Sequence, residues 1–274
     1  MEIINQLATE FHLRKEQVQS TIDLLDDGKT IPFIARYRKE KTGSLDDQLL
    51  RQLNDRLQYL RKLQQRKTEI CSAIAAQDKL TPELEQQIQA AKTLIEVEDL
   101  YLPYRPKRKT RASAAIARGL EPLARILAEQ KWETVPEETA KPFVQPEQDV
   151  PDVAAALQGA MDILAEEMAN DAALRKQMRQ FTMLSGTLSA RAVDEEAETP
   201  YRNYYDFQAP IEKLQGHRIL AINRGEQENA LKVTLSLPEG KGAAVVVRKY
   251  VHNDSPAAKL VQAAAEDAFQ RLLF

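Results

Sequence analysis

Between Gly43 and Pro82 the chain runs without a glycine or proline. Along it Leu45, Leu49, Leu53, Leu57, Leu60, Leu63, Ile70 and Ile74 recur every three or four residues. Only a helix puts side chains with that spacing on one face. The pattern predicts a helix from about Leu45 to Gln77, roughly 50 Å long at 1.5 Å per residue. Ser44 reads as its N-cap, with Asp47 as the acidic partner, and the apolar seam has a gap at Arg66 and Lys67. So long a helix in a chain of 274 residues serves as a spine for shorter ones.

The shorter ones are legible on both sides of it. Ile3, Ile4, Leu7 and Phe11 predict an amphipathic helix; Val18, Ile22 and Leu25 predict a second that stops at Gly28. Pro32 opens a third, ended by Gly43. Thr81 and Pro82 start a helix with Leu84, Ile88 and Leu94 or Ile95 inward, which Pro103 and Pro106 end. Ala112–Arg118 and Glu121–Gln130 read as short helices around Gly119, Val135–Pro151 as an acidic, proline-rich loop, and Val153–Met168 with Ala172–Met183 as a helical hairpin.

After Gly186 the character shifts. The segments 187–193 and 201–207 look extended, Pro210–Leu214 reads as a helical turn and His217–Gly225 as a helix, and 231–237 alternates with the strand period. The β-branched run 242–250 is open between a second hairpin strand and a helix. Ser255 and Pro256 begin a last helix, and the apolar ending RLLF reads as a helix cut in its middle. The expected fold class is mainly α: an elongated multi-helix scaffold with a long central helix and a small strand-containing element near the C-terminus. The expected division is a helical region, 1–190, and a mixed α/β segment, 191–274, that starts the helix leading onward.

Composition narrows the function classes. Hydrophobic residues at 43% allow a real core, and 6% aromatics with nine glycines favour helices over a β-sandwich. No apolar stretch is long enough to span a membrane. Cys71 is the single cysteine, so neither a disulfide nor a cysteine-built zinc site can form within one chain. His12, His217 and His252 lack partners at ligand spacing, and phosphate-binding glycine loops, nucleophile elbows and CxxC pairs are absent. The expectation is a chain that is not an enzyme, with no catalytic residue, cofactor or metal. The start lacks a basic segment followed by an apolar one, so the expected location is cytoplasmic.

Net charge is 38 − 41 = −3, but its distribution is uneven. From Arg36 to Lys67 ten bases face four acids, and Arg105–Arg111 is a second block with no acid inside it. Arg36, Arg38, Lys39 and Lys41, together with Tyr37, read as a polyanion-facing patch or as an ordinary solvated helix face. Arg105, Lys107, Arg108, Lys109 and Arg111 read as phosphate contacts, with Tyr101 or Tyr104 stacking, or as salt-bridge partners of Glu96, Glu98 and Asp99 or of the acidic loop. Arg218 and Arg224 alternate closely with acids and read as internal ion pairs.

Three ordered segments carry a family resemblance: IPFIARYRKEKTGSLD (31–46), VEDLYLPYRPKRKTRASAAIARGLEPLA (97–124) and HRILAINRGEQENALKV (217–233). With the closing AAAEDAFQRLLF they resemble the N-terminal region of bacterial Tex proteins, the transcription accessory proteins, over nearly the whole chain. Gln270, where the family often has lysine, departs from the usual spelling. The resemblance implies a longer helical scaffold that continues past Phe274 into an RNase-H-like domain without a working nuclease site, helix–hairpin–helix elements and an RNA-binding OB-fold. The resemblance implies that nucleic-acid binding rests chiefly on that OB-fold. The basic blocks of this chain add the expectation of a scaffold that itself binds nucleic acid (RNA, with DNA as a further option) weakly and without sequence preference, as a monomer away from membranes. The alternative is a protein-interaction scaffold that docks on transcription machinery and leaves nucleic acid to the further domains.

Overall fold

A computed structural model describes residues 2–105 and 110–273. They fall into two compact units, Met1–Tyr104 and Arg105–Phe274. Residue 190, where the sequence reading places its division, lies inside a strand of the second unit. Both units are built mainly from helices, with one small sheet in the second.

The first unit holds α1 (Glu2–Glu10), α2 (Lys15–Asp26), α3 (Ile31–Tyr37), α4 (Lys39–Thr42), α5 (Asp47–Ala75), α6 (Pro82–Ala90) and α7 (Leu94–Tyr101). The long helix is α5, and its apolar seam is buried as expected. Leu50, Leu53, Leu57 and Leu60 close one apolar cluster with Leu7, Val18, Ile22 and Ile34. Further along, Leu63, Ile70 and Ile74 close a second with Ile88 and Val97. The N-cap is Asp46, whose carboxylate accepts the Leu49 N–H at 2.7 Å. Ser44 is not the cap, because it and Gly43 both take left-handed backbone (φ +65° and +69°) to turn the chain.

The single helix expected from Thr81 through Ile95 is two. Ala91 turns extended, and Thr93 caps α7 by accepting the Glu96 N–H at 3.2 Å. The restart leaves Ile95 57% exposed and buries Val97 instead. Replacing Leu53 or Leu57 with alanine should cost about 2–5 kcal/mol, since transfer energy and a cavity term are both lost. Gln64→Ala on the exposed face should stay within about 0.5 kcal/mol. Urea midpoints of the three variants check both expectations.

The second unit comprises α8 (Arg111–Ala117), α9 (Glu121–Ala128), α10 (Pro136–Ala140), α11 (Val153–Asn170), α12 (Ala172–Ser185), β1 (Thr187–Ala192), β2 (Asp206–Pro210), α13 (Gly216–Gln227), β3 (Leu231–Ser236), α14 (Lys241–Tyr250) and α15 (Pro256–Ala268). The core centres on α11, which packs on α8, α9, α10 and α15. Small residues make the approach close: Ala156 and Ala160 on α11, and Ala257, Ala258, Ala264, Ala265 and Ala268 on α15, are all buried. A Cβ placed on Gly159 would lie 2.3 Å from the Leu120 Cδ1 and 3.3 Å from the Ala115 Cβ. Leu120 is fully buried and has nowhere to swing. Gly159→Ala should therefore destabilise the unit by about 1–3 kcal/mol, although alanine is the better helix former; thermal denaturation decides.

Strands β2 and β3 both pair antiparallel with β1, giving the order β2–β1–β3. Leu188 and Ala190 point to one face and meet Tyr201, Ile222 of α13 and Leu231 in a small separate core. The segment 201–207 is only partly extended: residues 202–204 make a 3-10 turn before β2 begins. The run 242–250 belongs to helix α14, so no hairpin forms with β3. Its buried positions, Gly242 and Val246, are four apart, which is helix spacing. The expected acidic loop contains α10 and two 3-10 turns, anchored by buried Ala140 and Val150.

Two polar knots close this unit. Gln130, 2% exposed with left-handed backbone, donates from Nε2 to the Tyr250 carbonyl at 2.7 Å and accepts the His252 N–H at 2.9 Å. Its own carbonyl accepts from Asn253 Nδ2 (2.8 Å) and Ser255 Oγ (3.1 Å). Asp171 caps α12 and accepts from the Tyr250 hydroxyl at 2.5 Å and from the Lys249 ammonium. Burial opposes ionisation of Asp171, but the hydrogen bonds from Lys249, Tyr250 and the Leu174 N–H outweigh it and hold the carboxyl below its ordinary range. A depressed folded pKa gives stability that is full above the unfolded value, about 3.9, and is lost as pH falls through the folded one. Asp171→Asn should cost about 1–3 kcal/mol at neutral pH, and the penalty should shrink below about pH 4. Chemical denaturation across pH 2–7 checks it.

Candidate nucleic-acid interface

The α3–α4 segment is anchored from beneath and cationic above. Pro32 sits in the first turn of α3, Ile34 is fully buried, and Thr42 is buried with its hydroxyl on the Arg38 carbonyl at 3.3 Å. The Gln17 side-chain amide donates to the Thr42 carbonyl at 3.0 Å. It passes so close that a Cβ on Gly43 would lie 2.1 Å from it, and φ +69° there favours glycine as well. With its inner residues held this way, the segment turns Arg36, Lys39 and Lys41 to solvent. Arg38 is half-buried, its guanidinium 5.4 Å from the Phe33 ring centre and donating to the Tyr37 carbonyl at 3.1 Å. Tyr37 is 62% exposed. Among the described residues, none of these four cations has a carboxylate within ion-pair distance.

The other bases of the first block are used differently. Arg51 pairs with Asp47 at 2.7 Å. Arg56 holds both oxygens of Glu10 at 2.7 Å, tying α5 to α1. Arg61 holds both oxygens of Asp26 at 2.7 Å, tying α5 to α2. Arg66 reaches Glu98 on α7 at 2.6 Å and Glu69 at 3.1 Å. Hydrogen bonds from Arg56 and Arg61 hold the Glu10 and Asp26 carboxyls below their usual range, and Glu98 pushes the Arg66 guanidinium up. Arg56, Arg61 and Arg66 are thus staples between helices. Sequence spacing reveals the pair at i, i+4, but not partners 32 to 46 residues away.

Of the second block, Arg105 is exposed, and Arg111 is exposed at the start of α8 behind a Thr110–Ser113 capping box. Lys107, Arg108 and Lys109 lie outside the described residues. Glu98, offered as their partner, is taken by Arg66. Tyr101 and Tyr104 pack against the apolar cluster of Ile70, Ile74 and Val97, and the Arg66 guanidinium lies 5.6 Å from the Tyr101 ring centre. Tyr37 is exposed beside the α3–α4 cations, with one side of its ring against Phe33, 5.3 Å between ring centres. Arg218 and Arg224 are both exposed and form no ion pair among the described residues, contrary to expectation; Arg218 lies 5.9 Å from the Phe207 ring centre. Glu228 follows Arg224 at the four-residue spacing that allows a pair, but its carboxylate is hydrogen-bonded with Tyr201 instead.

Among the described residues no three His, Cys, Asp or Glu side chains gather as a metal would require, and no helix is long and apolar enough to cross a membrane. The chain is 48% identical to the protein tex of Bordetella pertussis over 238 residues, which is 86% of this chain and 30% of that protein. It is 42% identical to the transcriptional accessory protein Tex of Neisseria gonorrhoeae over 237 residues, 86% of this chain and 31% of that protein. Similarity extends to the S1 RNA-binding domain-containing protein 1 of Pongo abelii: 30% identity over 248 residues, 87% of this chain and 25% of that protein. The chain spans about a third or less of the length of each of these relatives. Residues 1–75 match the Tex-like protein N-terminal domain, and residues 131–271 match the Tex central region-like family. The second match alone covers more than half of the 274 residues, and the chain belongs to the Tex family.

Proposed function

We propose that this chain is a non-catalytic helical scaffold of a transcription accessory protein and that it contacts nucleic acid, RNA first, weakly and without sequence preference. The observation that carries the reading is the contrast in pairing. The α5 arginines at 51, 56, 61 and 66 are neutralised by acids, whereas Arg36, Arg38, Lys39 and Lys41 have no acid partner among the described residues. Unpaired cations on a protein surface neutralise phosphates and release counterions, which gives affinity without reading bases. Exposed Tyr37 adds a face on which an unpaired base can stack. The names of the relatives, a transcriptional accessory protein and an S1 RNA-binding domain-containing protein, accord with this use. Arg105, Lys107, Arg108, Lys109 and Arg111 supply further cations to the same task. The α5 staples, which brace the first unit, favour the second reading, in which the chain is a protein-interaction scaffold that docks on transcription machinery.

Fluorescence anisotropy with an unstructured 20-nucleotide RNA, at several salt concentrations between 50 and 200 mM, separates the two. The first reading expects affinity to fall with salt by a slope of about 0.7 per phosphate contact. Reversing Arg36, Lys39 and Lys41 to glutamate should remove most binding and flatten that slope by about two units, since up to three contacts are lost. Reversing Lys107, Arg108 and Lys109 should act in the same direction. Unchanged affinity in both triple variants, with folding intact, gives the chain to the protein-docking reading.

A further inference from the structure

The first unit contains a cleft of about 740 Å³ that neither the basic patch nor its anchoring uses. Helices α1 and α5 form its long walls, and the last turn of α6 with Ala91 and Lys92 forms its end. At that end sits Lys67, a charged side chain only 7% exposed. Its ammonium donates to the Gln89 carbonyl at 2.6 Å, in the final turn of α6, where carbonyls lack helical partners. One such bond uses one of three N–H donors. Among the described residues no carboxylate lies within ion-pair distance of Lys67; Glu2 and Glu96 act on it only through space. Burial lowers its pKa, as expected for an ammonium removed from water without a counter-ion.

The remaining charges of the cleft are unequal. Arg56 is cancelled by Glu10 and Arg61 by Asp26, which leaves Lys67 and Lys92, with Glu2 and, at the same end, Glu96, whose carboxylate accepts the Lys92 main-chain N–H at 2.8 Å; neither acid reaches the Lys67 ammonium. Ile22, Leu57, Leu60 and Leu63 line the floor between them. The α5 wall runs from Arg56 to Lys67, about 16 Å or three helical turns. A trough of that length, with half-buried Ile3 and Ile4 along its wall and a buried ammonium without a counter-ion at one end, matches one face of a helix better than a compact small molecule.

We propose that this cleft is a docking groove for an acidic amphipathic helix of a protein partner, with one carboxylate of that helix meeting the Lys67 ammonium. The carboxylate supplies the counter-ion that the fold withholds and uses the N–H donors left over from Gln89. Lys92 at the exposed rim draws the same acidic segment toward the groove.

The test uses the whole chain and a fluorescein-labelled, helix-forming 12-residue peptide with leucines on one face and a single glutamate among them. The expected result is saturable binding, weakened at least tenfold when the peptide glutamate becomes glutamine. Lys67→Met should weaken binding to a similar degree, with no further loss on combining it with the glutamine peptide. Because Lys67→Met also strips a carbonyl of its donor, Lys92→Glu serves as a second variant that leaves the interior untouched, and it should weaken binding several-fold. In ¹³C-lysine-labelled protein the Lys67 Cε signal should shift on binding and titrate at higher pH than in the free chain. Absent binding, equal binding of the glutamine peptide, or an unmoved Lys67 signal overturns the proposal. Binding of decanoate without binding of the peptide overturns the partner helix and assigns the cleft to a small amphipathic carboxylate.

Discussion

One uninterrupted helix has to close two apolar clusters in the first unit, and most else there follows from that demand. The seam of α5 faces α1, α2 and α3 through Leu50, Leu53, Leu57 and Leu60, then α6 and α7 through Leu63, Ile70 and Ile74. Burial of this kind is non-directional and sets no angle between helices. The angle is supplied at the margins, where Arg56, Arg61 and Arg66 each grip a carboxylate on a different helix. These pairs are substantially exposed, so each adds little to stability by itself. What they add is direction, since a guanidinium fork accepts a carboxylate in few orientations.

The same pairs decide which cations are left for other molecules. A dense basic block reads from sequence as one patch, yet its α5 arginines are paired with acids while, among the described residues, the bases of its α3–α4 portion are not. The acids that neutralise α5, at positions 10, 26 and 98, come from α1, α2 and α7, the helices the apolar seam draws against it. Packing thus sorts one charge run into structural and available parts.

The second unit solves a different problem. Helix α11 is surrounded, so it needs small residues more than charges: Gly159 and the alanines of α11 and α15 set a close approach. Connections around that core are fastened by polar groups that replace missing main-chain partners. Gln130 satisfies four donors or acceptors near the start of α15, and Asp171 serves two side chains as well as the N-terminus of α12. Buried polar groups without such bonds would be costly, which makes these two residues specific to this arrangement.

By itself the sequence determined the mainly helical class, the long helix with its buried seam, the last helix with its Ser255 cap and Pro256 start, and the resemblance to the Tex family. These rest on local signals: periodicity, caps and breakers act within a few residues of chain. It also marked a gap in the seam at Arg66 and Lys67, but only the fold shows that Lys67 fills a seam position by bonding to Gln89, 22 residues away. Tertiary structure alone decided that the β-branched run 242–250 is helical. There the closeness of Gly242 to the Phe269 ring and the burial of Val246 override strand preference. It alone decided that the expected helix after Thr81 breaks at Ala91, that Asp46 rather than Ser44 caps α5, and that Tyr37 is exposed while Tyr101 and Tyr104 pack against the core. It alone paired arginines with acids tens of residues distant. Charge pairing and burial depend on which surfaces meet in space, and a single sequence records the residues of those surfaces without recording the meeting.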